Sequence, residues 1–146
     1  MFSQLKRTLC AGLFVLGATA AFTVSGTITA PALPPGTIEL QHEFDIYQRA
    51  SGTNDSPLGF HVSIDDSATA TKFTGLAYTI NSSGRVKEGV INGRTITFRI
   101  EWIRDSKVGI YQGTYFDDGY LRGNTSQEES NRSAEWWSRY ANWSVS

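Results

Sequence analysis

Few side chains in this sequence are of the kind that carry catalysis. Its two histidines, His42 and His61, stand apart, with no HxH or HxxxH spacing and no cysteine nearby to complete a metal site. The alternating pattern puts His42 on the apolar face of its strand, where a lone histidine is a core residue. Three carboxylate pairs, Asp65-Asp66, Asp117-Asp118 and Glu128-Glu129, could share a proton or a water only if both members faced one way. Neighbours on a strand point to opposite faces, so they do not. Asp117-Asp118 is accounted for by the turn that Gly119 completes. No Gly-x-Ser-x-Gly elbow and no phosphate-cradling glycine loop occurs. These residues point away from an enzyme and imply no cofactor and no metal.

What the sequence offers instead is binding by aromatic rings. Trp102, Tyr111, Tyr115, Tyr120, Trp136, Trp137, Tyr140 and Trp143 concentrate in its second half. Tryptophan and tyrosine present a large apolar face with one hydrogen-bonding tip, which suits a core, a ligand cup or an interface. Trp102, Tyr111, Tyr78 and Trp137 are the candidate ligand-lining set. Trp136, Tyr140 and Trp143 are the candidate partner surface. Trp136 and Trp137 are adjacent, so on a strand only one can point inward. This assignment puts Trp137 inside and Trp136 outside.

The elements that must position these rings are strands. From Gly36 onward apolar residues repeat with period two, and no helical period appears. Ile38, Leu40, His42, Phe44 and Ile46 alternate with polar residues. Phe60, Val62 and Ile64 do the same, as do Leu76, Tyr78 and Ile80, and most cleanly Ile96, Phe98, Ile100 and Trp102. Such alternation marks an antiparallel sheet with one wet face. Asn92-Gly93 between two β-rich runs reads as a type I′ hairpin, Asp117-Asp118-Gly119 as a second, and Asn81-Ser82-Ser83-Gly84 as a longer third. Strands are predicted at 36–47, 58–65, 72–80, 86–91, 94–103, 108–116, 120–125 and 134–143. Short connections make this an all-β meander, and about eight such strands close into a single up-and-down barrel with no free edge. An open two-sheet sandwich is the alternative. Gly75, Gly89, Gly109, Gly113 and Gly123, within or beside strands, mark the bends a small barrel needs.

The N-terminal residues read as an export signal. Lys6 and Arg7 precede the apolar run Leu9–Ala18, and Ala18-Thr19-Ala20 is a small-residue cleavage site. Residues 1–20 are therefore the expected signal peptide, 21–35 a Pro/Thr/Gly-rich linker and 36–146 the barrel domain. Cys10, the sole cysteine, lies in the signal, leaving a mature chain free of thiols and disulfides, secreted or periplasmic and detached from the membrane. Setting aside Lys6 and Arg7 from thirteen basic residues leaves eleven against fourteen acidic ones, a net charge of −3. No basic stripe exists for nucleic acid or anionic lipid. Asn54, Asn81, Asn124, Asn131 and Asn142 lie in Asn-x-Ser/Thr triplets, which abundant Ser and Thr produce by chance.

The order of short patterns resembles the avidin and streptavidin family. Thr53-Asn54-Asp55, Leu58-Gly59, Val62 and Ile64, then Phe73-Thr74-Gly75, follow that family's opening order. Ile96–Trp102 looks like its Trp-ended central strand, Val108–Gly113 like the aromatic-x-Gly strand after it, and Ala134–Ser138 like its late Trp strand. The resemblance implies an eight-stranded meander barrel that holds a small molecule at an aromatic site. The departures fall on the ligand contacts: Gly52 stands at the family's first-strand Trp, Phe60 at its ligand-binding Ser, and Asn124 or Thr125 near a further Trp. Each missing partner of a buried polar ligand costs about 1–3 kcal/mol, so tight biotin binding is not expected. The expected function is an exported barrel binding a small ligand or carbohydrate. The alternative is a protein-interaction module, such as an inhibitor or envelope assembly factor, with homo-oligomerisation open in either case.

Overall fold

The structure is a computed structural model and describes residues 32–146. The signal segment and residues 21–31 of the linker lie outside the described residues. Eight strands follow one another: β1 (Glu43–Ala50), β2 (Leu58–Ile64), β3 (Lys72–Tyr78), β4 (Ser83–Asn92), β5 (Thr95–Trp102), β6 (Val108–Tyr115), β7 (Leu121–Gln127) and β8 (Ser133–Ser138). Each pairs antiparallel with the next, and β8 returns to β1, with Tyr47 opposite Trp137. The predicted barrel is the observed one, and it closes with no unpaired edge.

The hairpin at Asn92-Gly93 forms, one residue later than predicted. Asn92 pairs with Thr95, so Gly93 and Arg94 are the central residues. Only Gly93 of these has positive φ (57°), which fits type II′ rather than I′. Gly119 (φ 85°) completes the β6–β7 turn, its N–H donating to the Phe116 carbonyl at 2.9 Å.

Four readings of side-chain direction are corrected. The chain bends at His42, so the inward alternation of Phe44 and Ile46 does not extend back to it. His42 is exposed and its carbonyl accepts from the Ile64 N–H. On β3 the inward residues are Phe73, Gly75 and Ala77, while Leu76 (40% exposed) and Tyr78 (42%) face out. The Phe73 ring fills the space a side chain at Gly89 would take, and it packs against Phe98 at 6.0 Å. In so narrow an interior the rings set the demand for volume, and β3 answers with small residues. On β8 the order of the two tryptophans is reversed. Trp136 is the buried one (1% exposed), opposite Gly123, and Trp137 lies outside on Tyr47. Trp143 is buried as well, edge-on to Phe44 at 5.1 Å.

The two ends of the barrel differ. Residues predicted as the outer parts of the first and last strands instead cross one end. Ile38 bridges Val145, its N–H donates to the Gly93 carbonyl, and the Trp143 N–H donates to the Gly119 carbonyl. Ile38, Leu121, Phe44 and Trp143 plug this end. Above the plug the interior is packed with the rings of Phe98, Tyr111, Trp136, Phe73 and Phe60. The other end, carrying the loops 51–57, 79–82, 103–107 and 128–132, is plugged by none of the described residues.

Candidate functional site

The unplugged end forms a cup of about 370 Å³. Its floor is Tyr111, whose ring stacks on Phe98 (centroids 4.9 Å apart, 3° between planes). Trp102, half-buried on the last residue of β5, stands edge-on to Phe60 at 5.6 Å. Ala50, Leu58 and Ala134 add apolar wall, and Gln48, Thr125 and Gln127 add polar groups. Arg104, Asp105, Lys107 and Arg132 come from the loops at the rim.

The polar atoms of the floor are not all satisfied. Tyr111 donates its hydroxyl proton to Gln48 Oε1 at 2.9 Å, which leaves the Gln48 amide N–H groups without a protein partner among the described residues. Thr125 is 7% exposed, and its Oγ1 is buried with no hydrogen-bond partner. Leaving a buried hydroxyl unpaired costs about 1–3 kcal/mol, so the barrel has an acceptor and donor in reserve here. The other unpaired buried side-chain atom among the described residues is Arg49 Nε on the outer wall.

Burial pushes the Tyr111 phenol well above its ordinary value of 10.0, with the neighbouring Trp102 side chain acting the other way. Tyr111 is thus a neutral donor across the working range. The unfolded chain would ionise this phenol above pH about 10 while the folded chain would not, so its contribution to stability is complete below that pH and lost above it. In an alkaline titration followed by phenolate absorbance, one tyrosine is expected to ionise only together with unfolding, and Tyr111→Phe should remove that coupled step. At the rim, Asp105 is raised by desolvation but more than offset by hydrogen bonds and charge from Lys107, and ends below the usual carboxylate range. It is an ionised partner of Lys107 at 3.2 Å.

Of the residues singled out from sequence, Trp102 and Tyr111 come together in the cup. Tyr78 and Trp137 do not reach it. Trp137 sits under the Arg49 guanidinium (5.7 Å) on the outside of the barrel. Of the proposed partner surface, Trp136 and Trp143 are buried, and Tyr140 (52% exposed) alone is at the surface, with Arg139 over its ring. Gln48 and Thr125 were missed, though they carried a signal. Counting in twos from Ile46 and Leu121 places a polar residue inward on each strand, near the same end of the barrel.

Two other features could do chemistry. His61 Nδ1 lies 2.8 Å from Asp45 Oδ1 on the outer wall, an orienting pair, but among the described residues no hydroxyl hydrogen-bonds the imidazole. A broad groove runs outside β6, β7 and β8 between Trp137, Phe116, Arg122 and Glu135. It is larger than the cup and somewhat more open to solvent. The carboxylate pairs are structural: Asp65 accepts from the Thr74 hydroxyl, Asp118 holds Arg122 and Glu128 holds Arg99. Among the described residues no three His, Cys, Asp or Glu converge as metal ligands.

The chain matches no known family profile and no curated protein sequence.

Proposed function

We propose that this protein is a binding module that holds one small organic molecule in the cup at the open end of the barrel, without transforming it. The observation that carries this reading is the unpaired Thr125 hydroxyl at the base of an aromatic-walled recess. A site that keeps an unsatisfied polar atom under an apolar wall forgoes stability, and a ligand atom that pairs with it recovers that loss. Small-ligand pockets of this kind combine a mostly apolar lining with a few placed polar groups.

The distinguishing variant is Thr125→Val. Removing the hydroxyl while keeping the shape is expected to stabilise the free protein by about 1 kcal/mol. The same variant should weaken any compound found to raise the melting temperature in a small-molecule screen. Trp102→Phe should weaken that compound while the melting temperature of the free protein stays close to that of the parent. If Thr125→Val binds every stabiliser as the parent does, the cup is not the site.

A protein-interaction role has its own support in the outward Tyr47, Trp137, Tyr140, Arg49 and Arg139, the residue types that anchor interfaces. These rings already pack on one another or under arginines, and the recess beside Tyr140, at about 240 Å³, is smaller than the cup.

A further inference from the structure

This inference rests on the cup reading above and concerns which molecules the cup selects. The cup is lined by three cations, Arg104, Lys107 and Arg132, and one carboxylate, Asp105. Asp105 is committed to Lys107. Arg49, Arg94, Arg99, Arg122 and Arg139 each hold a carboxylate, whereas Arg104 and Arg132 make no ion pair among the described residues. Arg85, on the outer wall of β4, is likewise without one. Asp55, Glu128 and Glu129 belong to the same end loops but do not line the cup, and Glu128 is held by Arg99 at 2.8 Å.

This excess of positive charge sits on an acidic domain. Taking the three cup cations from the eleven basic residues after Arg7, and Asp105 from the fourteen acidic ones, leaves eight against thirteen elsewhere. The cup therefore runs against the charge of the rest of the molecule, and a concave site of one sign concentrates the opposite sign. Two unpaired guanidiniums at a rim, an apolar wall beneath them and an unpaired hydroxyl at the base make three zones of different chemistry.

We propose that the cup takes a small amphipathic organic anion, with its charged group at Arg104 and Arg132, its apolar body against Trp102 and Leu58, and a polar atom at Thr125 Oγ1. A carboxylate, sulfonate or phosphate monoester meets this description.

The test compares two fluorescent probes on the full chain: anilinonaphthalene sulfonate and the uncharged N-phenylnaphthylamine, which share one apolar body. The sulfonate is expected to bind about tenfold more tightly at low salt. That preference should shrink at high salt and largely vanish in the Arg104→Gln/Arg132→Gln double variant, while Trp102→Ala weakens both probes. Displacement by naphthoate or by naphthyl phosphate then distinguishes the carboxylate from the phosphate form of the ligand. Equal binding of the two probes, with Trp102 still required, overturns the anion selectivity and leaves the cup. A sulfonate preference that survives loss of both arginines overturns it too, by placing the anion elsewhere. Binding of neither probe at a Trp102-dependent site overturns the cup reading together with the inference.

Discussion

Replacing Trp136 with alanine is expected to remove about 4 kcal/mol of folding stability. The indole is almost fully buried, with its ring 5.9 Å from Phe98 and 6.3 Å from Tyr111, centroid to centroid. Its Nε1–H is shared at 3.2 Å between the carbonyls of Gln112 and Asn124, across β6 and β7. Truncation leaves a cavity and takes a donor from both strands. Domains of this size are stable by roughly 5–15 kcal/mol, so the loss is a large fraction of the total and should lower the melting temperature by about 20 °C. Trp137→Ala, one residue along, removes a ring that packs on the outer wall, and about 1 kcal/mol is expected. Thermal denaturation followed by circular dichroism compares the two directly. Equal losses, or a larger loss at Trp137, would mean that β8 faces the other way.

A second substitution inverts an ordinary expectation. Alanine at a strand glycine normally stabilises by about 0.4–1 kcal/mol, because it restricts the unfolded chain. Gly123→Ala should instead destabilise by about 3 kcal/mol. A Cβ there would lie 1.9 Å from the Gln112 carbonyl oxygen and 2.6 Å from Gly113 Cα. Both are backbone atoms of the neighbouring strand, so no side-chain rotation can make room. β6 and β7 would have to separate at the level where Trp136 ties them together. Gly59→Ala is the matched control. Its Cβ would meet only the edge of the Tyr47 ring at 3.1 Å, which can tilt away, so a change within about 1 kcal/mol is expected. Urea unfolding of the two variants gives the comparison, and parental stability for Gly123→Ala would show that the β6–β7 contact is looser than described.

The barrel was legible because its architecture depends on properties that single residues display: alternation along Ile96–Trp102, and turn chemistry at Gly93 and Gly119. The errors arose where direction depends on a partner. Leu76 and Tyr78 are more hydrophobic than Gly75 and Ala77, so ranking by hydrophobicity put β3 the wrong way round. In a narrow barrel the contest is for volume, and Phe73 and Phe98 had already taken it. Trp136 and Trp137 are identical in type, and only the glycine opposite one of them separates the two. Ile38 and Trp143 look like strand residues by sequence because a plug needs the same apolar side chains. The aromatic half of the cup was visible as Trp102 and Tyr111. Its polar half, Gln48 and Thr125, was hidden because each is an ordinary residue whose meaning comes from facing inward, and the rim arginines looked like any others on a solvated surface.

The crossing segments that plug the barrel also bring residues 36 and 146 together: the Gly36 N–H donates to the Ser146 carbonyl, beside the Ile38–Val145 bridge. Topologically the barrel is a ring with one nick, so a short peptide joining 146 to 36 would permit circular permutation. New ends could be opened in the 65–71 connection, which lies at the plugged end and leaves every loop of the cup uncut. The same geometry fixes how the barrel is presented. A carrier, support or fusion partner attached at residue 36 or residue 146 meets the plugged face, and the cup is left pointing away from it.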